Sequence, residues 1–248
     1  MPAQNIYDEP DFFDAYGRMR RSIEGLAGAA EWPDLRAMLP PLAGARVLDL
    51  GCGYGWFAAY AADAGAATVL AMDVSERMLD KARSINARPA IRYERTDLEA
   101  VSVPQGAFDL AFSSLALHYV EDLPRLLHKV ADALAPAGVL VASIEHPIYT
   151  APRRPGWAST ADGGQAWMLD GYFDEGPRRT SWLGAEVLKH HRTLTGLLAS
   201  LAEAGLDLER LHEYRPTAED VAQHPEWEME LDRPMFLLFR ARKPSSPV

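Results

Sequence analysis

Val47-Leu48-Asp49-Leu50-Gly51-Cys52-Gly53-Tyr54-Gly55-Trp56 runs from a short apolar strand pattern through three alternate glycines into an alanine-rich segment with helix-forming character. Glycines so spaced between a strand and a helix let the backbone bend sharply and let a ligand approach it closely. This is the form of a turn that passes under a nucleoside cofactor. A dinucleotide turn of the G-x-G-x-x-G kind needs glycine where this chain has Trp56, which disfavours a pyrophosphate ligand.

Strand and helix patterns alternate outward from that turn. Strands are expected at 46–50, 68–72, 91–95, 108–113 and 139–144, with helices at 57–64, 76–85 and 123–134 between them. Further on, a helix is expected at 195–204, strands at 206–211 and 235–241, and a helical segment at 216–231 opened by Thr217. The alternation predicts an α/β fold: a seven-stranded, mostly parallel, doubly wound sheet of Rossmann-like type with right-handed crossovers.

Two helices, 8–29 and 32–39, precede the core and make an N-terminal helical cap over 1–43. The cofactor-binding core spans 44–145, and 193–243 supplies the rest of the sheet. Between them, 146–192 is rich in proline, glycine and tryptophan and shows no periodicity, so it reads as an ordered flap inserted after strand five, facing the substrate. A short tail at 244–248 looks disordered. All of this forms one domain.

Bulk properties narrow the function. The 248 residues carry a net charge of -10, which argues against nucleic-acid partners, and the Arg153-Arg154 and Arg178-Arg179 pairs are too short to reverse it. No apolar run is long enough to span a membrane, and the N-terminal residues lack a signal-peptide layout, so a cytoplasmic protein is expected. The single cysteine, Cys52, cannot form an internal disulfide, and no metal site is expected.

The segment Asp49-Leu50-Gly51-Cys52-Gly53-Tyr54-Gly55 resembles the first motif of the class I S-adenosylmethionine-dependent methyltransferases, and the resemblance extends over roughly residues 44 to 145. It implies S-adenosylmethionine as cofactor, with Asp49, Gly51, Cys52, Gly53 and Gly55 around its methionine part. Asp73 ends the second strand about twenty residues after the turn, where a carboxylate can accept both hydrogen bonds of a ribose diol. Val74 and Met78 would then pack on the adenine. Thr96-Asp97-Leu98 resembles the family segment that receives the adenine amino group, and Ser113 begins the loop that the family sets beside the sulfonium. One of Arg20 and Arg21 is expected to meet the cofactor carboxylate, and the sequence does not choose between them.

On the acceptor side, Tyr7, Tyr16, His118, Tyr119, His146, Trp182 and His191 are the candidate wall residues. His118 and His146 are the candidate bases, each with a structural alternative. Methyl transfer needs chiefly alignment and desolvation, and a base is optional. The chain is similar to the ubiquinone/menaquinone-type small-molecule branch. Its size and its Asn5-Ile6-Tyr7 region resemble the bacterial N-methyltransferases of azapteridine (toxoflavin) biosynthesis, which implies a small planar acceptor methylated on ring nitrogen. O- or C-methylation of a quinone or phenol, and a non-catalytic S-adenosylmethionine-binding protein, remain open at this point, as does the oligomeric state.

Overall fold

A computed structural model describes residues 4–245, so residues 246–248 of the expected tail lie outside it. Its centre is the expected seven-stranded sheet, in the order β10-β11-β5-β4-β1-β2-β3. The strands are β1 (Arg46–Leu50), β2 (Thr68–Asp73), β3 (Ile91–Arg95), β4 (Phe108–Ser114), β5 (Leu134–Glu145), β10 (Asp207–Glu213) and β11 (Phe236–Arg242). β1 to β5 pair in parallel, and β11 enters antiparallel between β5 and β10. The order reverses between β1 and β4, and in open α/β sheets the crevice beyond the strand ends at such a reversal is where ligands bind.

Strands covered on both faces need apolar side chains on both, which is why β1 and β4 are almost continuously hydrophobic. On one side Val47, Val69, Leu110 and Val141 pack with Phe57 and Leu35; on the other Leu48, Leu50, Leu140 and Phe239 pack with Leu126, Val130 and Leu201. The covering helices are α3 (Trp32–Met38), α4 (Trp56–Asp63), α5 (Glu76–Ile85), α6 (Leu123–Ala133) and α8 (Leu194–Glu203). Phe57 of α4 stacks on Phe112 of β4 with ring centroids 3.5 Å apart, fixing the helix that follows the glycine turn directly over the switch point.

The expected helix over 8–29 is broken. It forms α1 (Pro10–Gly17), α2 (Arg20–Ile23) and a 3-10 turn (Gly25–Gly28), with Met19 extended between the two helices. Close contact is the reason: a Cβ on Gly28 would strike the Arg20 carbonyl, and one on Gly25 would strike the Trp56 indole packed against it. The expected helix at 216–231 likewise divides into α9 (Ala218–Gln223), opened by a capping box between Thr217 and Asp220, and a 3-10 segment (Pro225–Leu231).

The stretch after β5, for which periodicity predicted nothing, holds α7 (Pro147–Thr150) and two hairpins. These are β6 (Trp157–Ser159) with β7 (Gln165–Trp167), and β8 (Gly176–Trp182) with β9 (Ala185–His191). Arg233 ties the first hairpin down. Its guanidinium lies 4.0 Å from the Trp167 ring centroid, 4.6 Å from Tyr149 and 5.2 Å from Trp157, while its N–H groups donate to both oxygens of Glu230. No described helix is long and apolar enough to cross a membrane.

Candidate active site

The glycine turn and the end of β2 are built as one unit. Gly51, Gly53 and Gly55 all take positive φ (77°, 52° and 73°), a region that costs other residues strain. Gly51 N and Cys52 N both donate to the Met72 carbonyl at 2.9 Å. Side chains at Gly51 and Gly55 would collide with Ala116 and Tyr93, whereas the space above Gly53 is empty for 4 Å. Gly51 and Gly53 form the floor of a cavity of about 600 Å³ that opens at the switch point.

Asp73 closes one side of that floor. Its Oδ2 accepts from Gly53 N at 2.8 Å and its Oδ1 from Ser75 N at 2.9 Å, leaving about half of the carboxylate's lone pairs unused. Burial raises its pKa while the two amides oppose the rise. Ser75 caps α5 by accepting from Met78 N, and its hydroxyl donates to Asp8 at 2.5 Å; this pins the N-terminal 3-10 turn (Ile6–Asp8) on the same corner. Val74, Met78, Asp97 and Leu98 complete this end of the cavity, with Asp97 capping its own 3-10 turn through Glu99 N.

Arg20 and Arg21 both border the cavity, in different states. Arg20 is engaged with Glu24 and His224. Arg21 gives one nitrogen to both oxygens of the fully buried Glu31, and its remaining N–H groups have no partner among the described residues. Burial works against the Arg21 charge, but Glu31 more than restores it. Both arginines keep N–H groups without a partner among the described residues, Arg20 at Nη2 and Arg21 at Nε and Nη1.

Other residues expected at the cofactor lie behind the wall. Asp49 is 2% exposed within β1, its Oδ2 lacks a partner among the described residues, and burial with Asp73 nearby holds its pKa well above the carboxylate range. Cys52 is held as a thiol by burial and by those two carboxylates, which leaves it no nucleophilic character. Ser113 donates to the Leu50 carbonyl at 2.9 Å and so staples β4 to β1; Ser114 takes its place in the wall. Gly55 faces Tyr93, and Thr96 turns to Glu94.

The opposite end of the cavity is aromatic. Tyr7, Tyr16, Tyr119 and Trp182 meet edge to face with centroids 5.4 to 6.2 Å apart, and the Tyr7 and Tyr119 hydroxyls are 3.2 Å from each other. Burial, and for Tyr7 the neighbouring tyrosines, keeps these hydroxyls protonated.

The histidines do not share one role. His118 is in the wall, and its Nδ1 accepts from Glu145 N at 3.3 Å; burial, then Lys189 and Arg192, keep the ring neutral. In the tautomer this bond implies, Nε2 carries the proton, so His118 has no free lone pair with which to act as a base. His146 caps α7 through Ile148 N and places Nε2 2.9 Å from Glu213, outside the cavity wall. His191 is also outside it, between the Thr150 hydroxyl and the Tyr172 carbonyl, where it joins β9 to α7. His146 was drawn from its place at a strand end and His191 from the close of the flap, and neighbours from β10 and α7 claim their rings instead.

Among the wall residues that escaped the sequence reading is an ion pair. Glu145 ends β5 and Lys189 projects from β9, with Lys189 Nζ 2.6 Å from Glu145 Oε1. The signal was present: Val187, Lys189 and His191 alternate on the buried face of β9, where a lysine is unexpected. No group of three or more metal-ligating side chains occurs among the described residues.

Residues 47–138 match the family described as "Methyltransferase domain". The chain is similar to the structure of an S-adenosylmethionine-dependent methyltransferase from Mesorhizobium loti, at 54% identity and a TM-score of 0.85, covering 88% of this chain and 100% of that one. A second structure, of a putative S-adenosylmethionine-dependent methyltransferase from Listeria monocytogenes, matches at 38% identity and a TM-score of 0.79, over 87% of this chain and 98% of that one. A malonyl-[acyl-carrier protein] O-methyltransferase from Pectobacterium atrosepticum is 35% identical over 173 residues, 66% of this chain and 61% of that protein.

Proposed function

The chain belongs to the S-adenosylmethionine-dependent methyltransferases, and from that premise we propose that it methylates a ring nitrogen of a small planar heterocycle of the azapteridine type. The cofactor supplies an electrophilic methyl group on a sulfonium. The residues present fit it: the open face of Gly53 admits a close ligand, and the unused lone pairs of Asp73 suit a ribose diol. Val74 and Met78 would flank the adenine, Asp97 and Leu98 would meet its edge, and the spare donors of Arg20 and Arg21 suit the carboxylate.

One observation carries the choice of acceptor. A single cavity joins the glycine turn to the cluster of Tyr7, Tyr16, Tyr119 and Trp182, whose faces and edges suit a flat ring. His118 has already committed its basic nitrogen, so neither histidine drawn from the sequence serves as a base. A ring nitrogen with its own lone pair needs none, whereas a neutral phenol must lose a proton. Rate enhancement then rests on alignment and on exclusion of water by the aromatic wall. The net charge of -10 favours a small molecule over a nucleic acid.

A second reading, O-methylation of an acidic metabolite, draws support from the name of the Pectobacterium relative. The wall beside the aromatic cluster is not net positive, because Lys189 there is paired with the Glu145 carboxylate at 2.6 Å, so an anionic acceptor gains little from it. Incubation with methyl-labelled S-adenosylmethionine and a panel of demethylated azapteridines, quinones, phenols and carboxylic acids tests the proposal. Label on a heterocyclic nitrogen is the expected result. Label only on oxygen or carbon would discard the nitrogen reading and leave the enzyme class intact.

A further inference from the structure

We propose that Glu145 and Lys189 together read a cyclic-amide edge of the acceptor, the carboxylate accepting a ring N–H and the ammonium donating to the adjacent carbonyl. This rests on the planar-heterocycle reading above and names the functional group that the heterocycle presents.

The pair is poorly explained as a support for the fold. Burying an ammonium and a carboxylate is costly, and a well-packed apolar pair is often as stable or more so. A structural pair also uses up its hydrogen bonds. Here Glu145 Oε1 takes the single bond from Lys189, and Glu145 Oε2 is buried with no partner among the described residues. Lys189 is 5% exposed and has three N–H groups, of which one bonds Glu145 and none has another oxygen partner among the described residues. Its remaining neighbours are ring faces, Tyr149 at 5.8 Å and Trp182 at 5.7 Å.

Both residues border the cavity, and the unpaired Oε2, itself covered, is brought to a ligand by a turn of the side chain. The terminal torsion of a glutamate is soft, and a small rotation turns either oxygen toward a bound donor. The site then offers one anionic acceptor beside one cationic donor, flanked by the aromatic wall. A lactam or imide edge is the complement of that arrangement, since it carries N–H and C=O side by side in the ring plane. A carboxylate lacks the donor. A tertiary N-alkyl lactam lacks it too.

Calorimetric titration with S-adenosylhomocysteine at saturation tests the assignment, using pteridine-2,4-dione, its 1,3-dimethyl derivative and catechol as probes. Wild type should bind the dione about ten- to a hundredfold more tightly than the dimethyl derivative, the ratio expected for a charge-assisted bond to a buried group. Glu145→Gln, which turns an amide N–H toward the ring N–H, and Lys189→Met should each reduce that ratio to near one. The apolar double variant Glu145→Leu/Lys189→Met should do the same, and it serves if a single change leaves an unpaired charge that prevents folding. Unchanged affinity for S-adenosylhomocysteine reports an intact cofactor half in every variant. Equal binding of the two diones by wild type, tighter binding of catechol, or a preference that survives the substitutions overturns the edge reading alone. If wild type takes up S-adenosylhomocysteine and binds neither dione, the planar-heterocycle reading falls and this one with it.

Discussion

The carboxylate of Asp73, at the end of β2, accepts a hydrogen bond from the backbone amide of Gly53 in the turn that follows β1, at 2.8 Å. One side chain thus holds the shape of the glycine turn and faces the cavity at once. Its second oxygen holds Ser75 N, so the turn, the strand end and the start of α5 move as one body.

Asp73→Ala should therefore lose on both counts. Two buried amides would lose their acceptor, at a cost of about 1–3 kcal/mol each at most, and affinity for S-adenosylmethionine should fall at least about tenfold, as expected when a buried hydrogen-bonding partner is lost. Urea unfolding and calorimetric titration read the two effects separately. Asp73→Ala with unchanged cofactor affinity would remove Asp73 from the site.

Gly53 and Gly51 differ in what surrounds them, and alanine at each should tell them apart. Gly53→Ala meets nothing within 4 Å, so only its positive φ is penalised, by roughly 1–2 kcal/mol. The protein should fold and bind cofactor far more weakly, because the new methyl group fills the floor of the cavity. Gly51→Ala adds a collision with Ala116 and should be markedly less stable, with Ala116→Gly restoring part of the loss. Thermal unfolding of the single and double variants checks this order.

Arg233, 4% exposed among Tyr149, Trp157 and Trp167, should act as the clasp of the hairpin β6–β7. Arg233→Met removes the partner of Glu230 and should cost about 3–5 kcal/mol, as when a buried ion pair is broken from one side. Arg233→Lys should recover only part, since the ammonium cannot stack as a plane or bind both carboxylate oxygens in a fork. Limited trypsin digestion should reveal new cleavage after Arg153 in the methionine variant, the bond after Arg154 being protected by Pro155. A hairpin that stays resistant would mean that other contacts hold it.

His118 should make stability depend on pH. Its folded pKa lies well below 6.5 because burial disfavours the imidazolium, with Lys189 and Arg192 adding to the effect. Below 6.5 the unfolded chain takes up a proton that the folded protein refuses, so this contribution is complete above 6.5 and is lost as pH falls toward the folded value. The raised pKa values of Asp49, Asp73 and Glu145 act in the opposite sense, so the useful quantity is a difference. Between pH 7.5 and 5.5, urea unfolding should show wild type losing about 1.4 kcal/mol more stability than His118→Gln over the whole interval. Parallel slopes would show that His118 takes up its proton as readily in the fold as in the unfolded chain.

The central sheet was legible because its strands are buried on both faces and punctuated by glycine, so Arg46–Leu50 or Phe108–Ser114 reads as one apolar run. The place of Asp73 in the cavity wall was legible through strand-end spacing, and that of Asp97 through the resemblance of Thr96-Asp97-Leu98 to a family segment. The N-terminal helix was misread because Gly25 and Gly28 are set by contacts with Trp56 and Arg20, which no local pattern carries. The hairpin β8–β9 turns on Leu183-Gly184, both at positive φ (50° and 81°); leucine there hides a turn that asparagine would have announced. His146 and Glu145 are neighbours in sequence, yet one faces β10 and the other the cavity, a division made by packing across the sheet.

The antiparallel strand β11 occupies a place between β5 and β10 that its neighbours leave vacant until it arrives. While the chain is being made, everything from β1 to β5 can assemble early, but the outer edge of β5 then stays unpaired through the synthesis of both hairpins, α8 and β10. An open edge of that kind recruits strands from other molecules. The protein therefore passes through an interval, from the emergence of Glu145 to that of Arg242, in which a nascent chain is at its most prone to aggregate, and slower translation across that stretch would prolong the exposure.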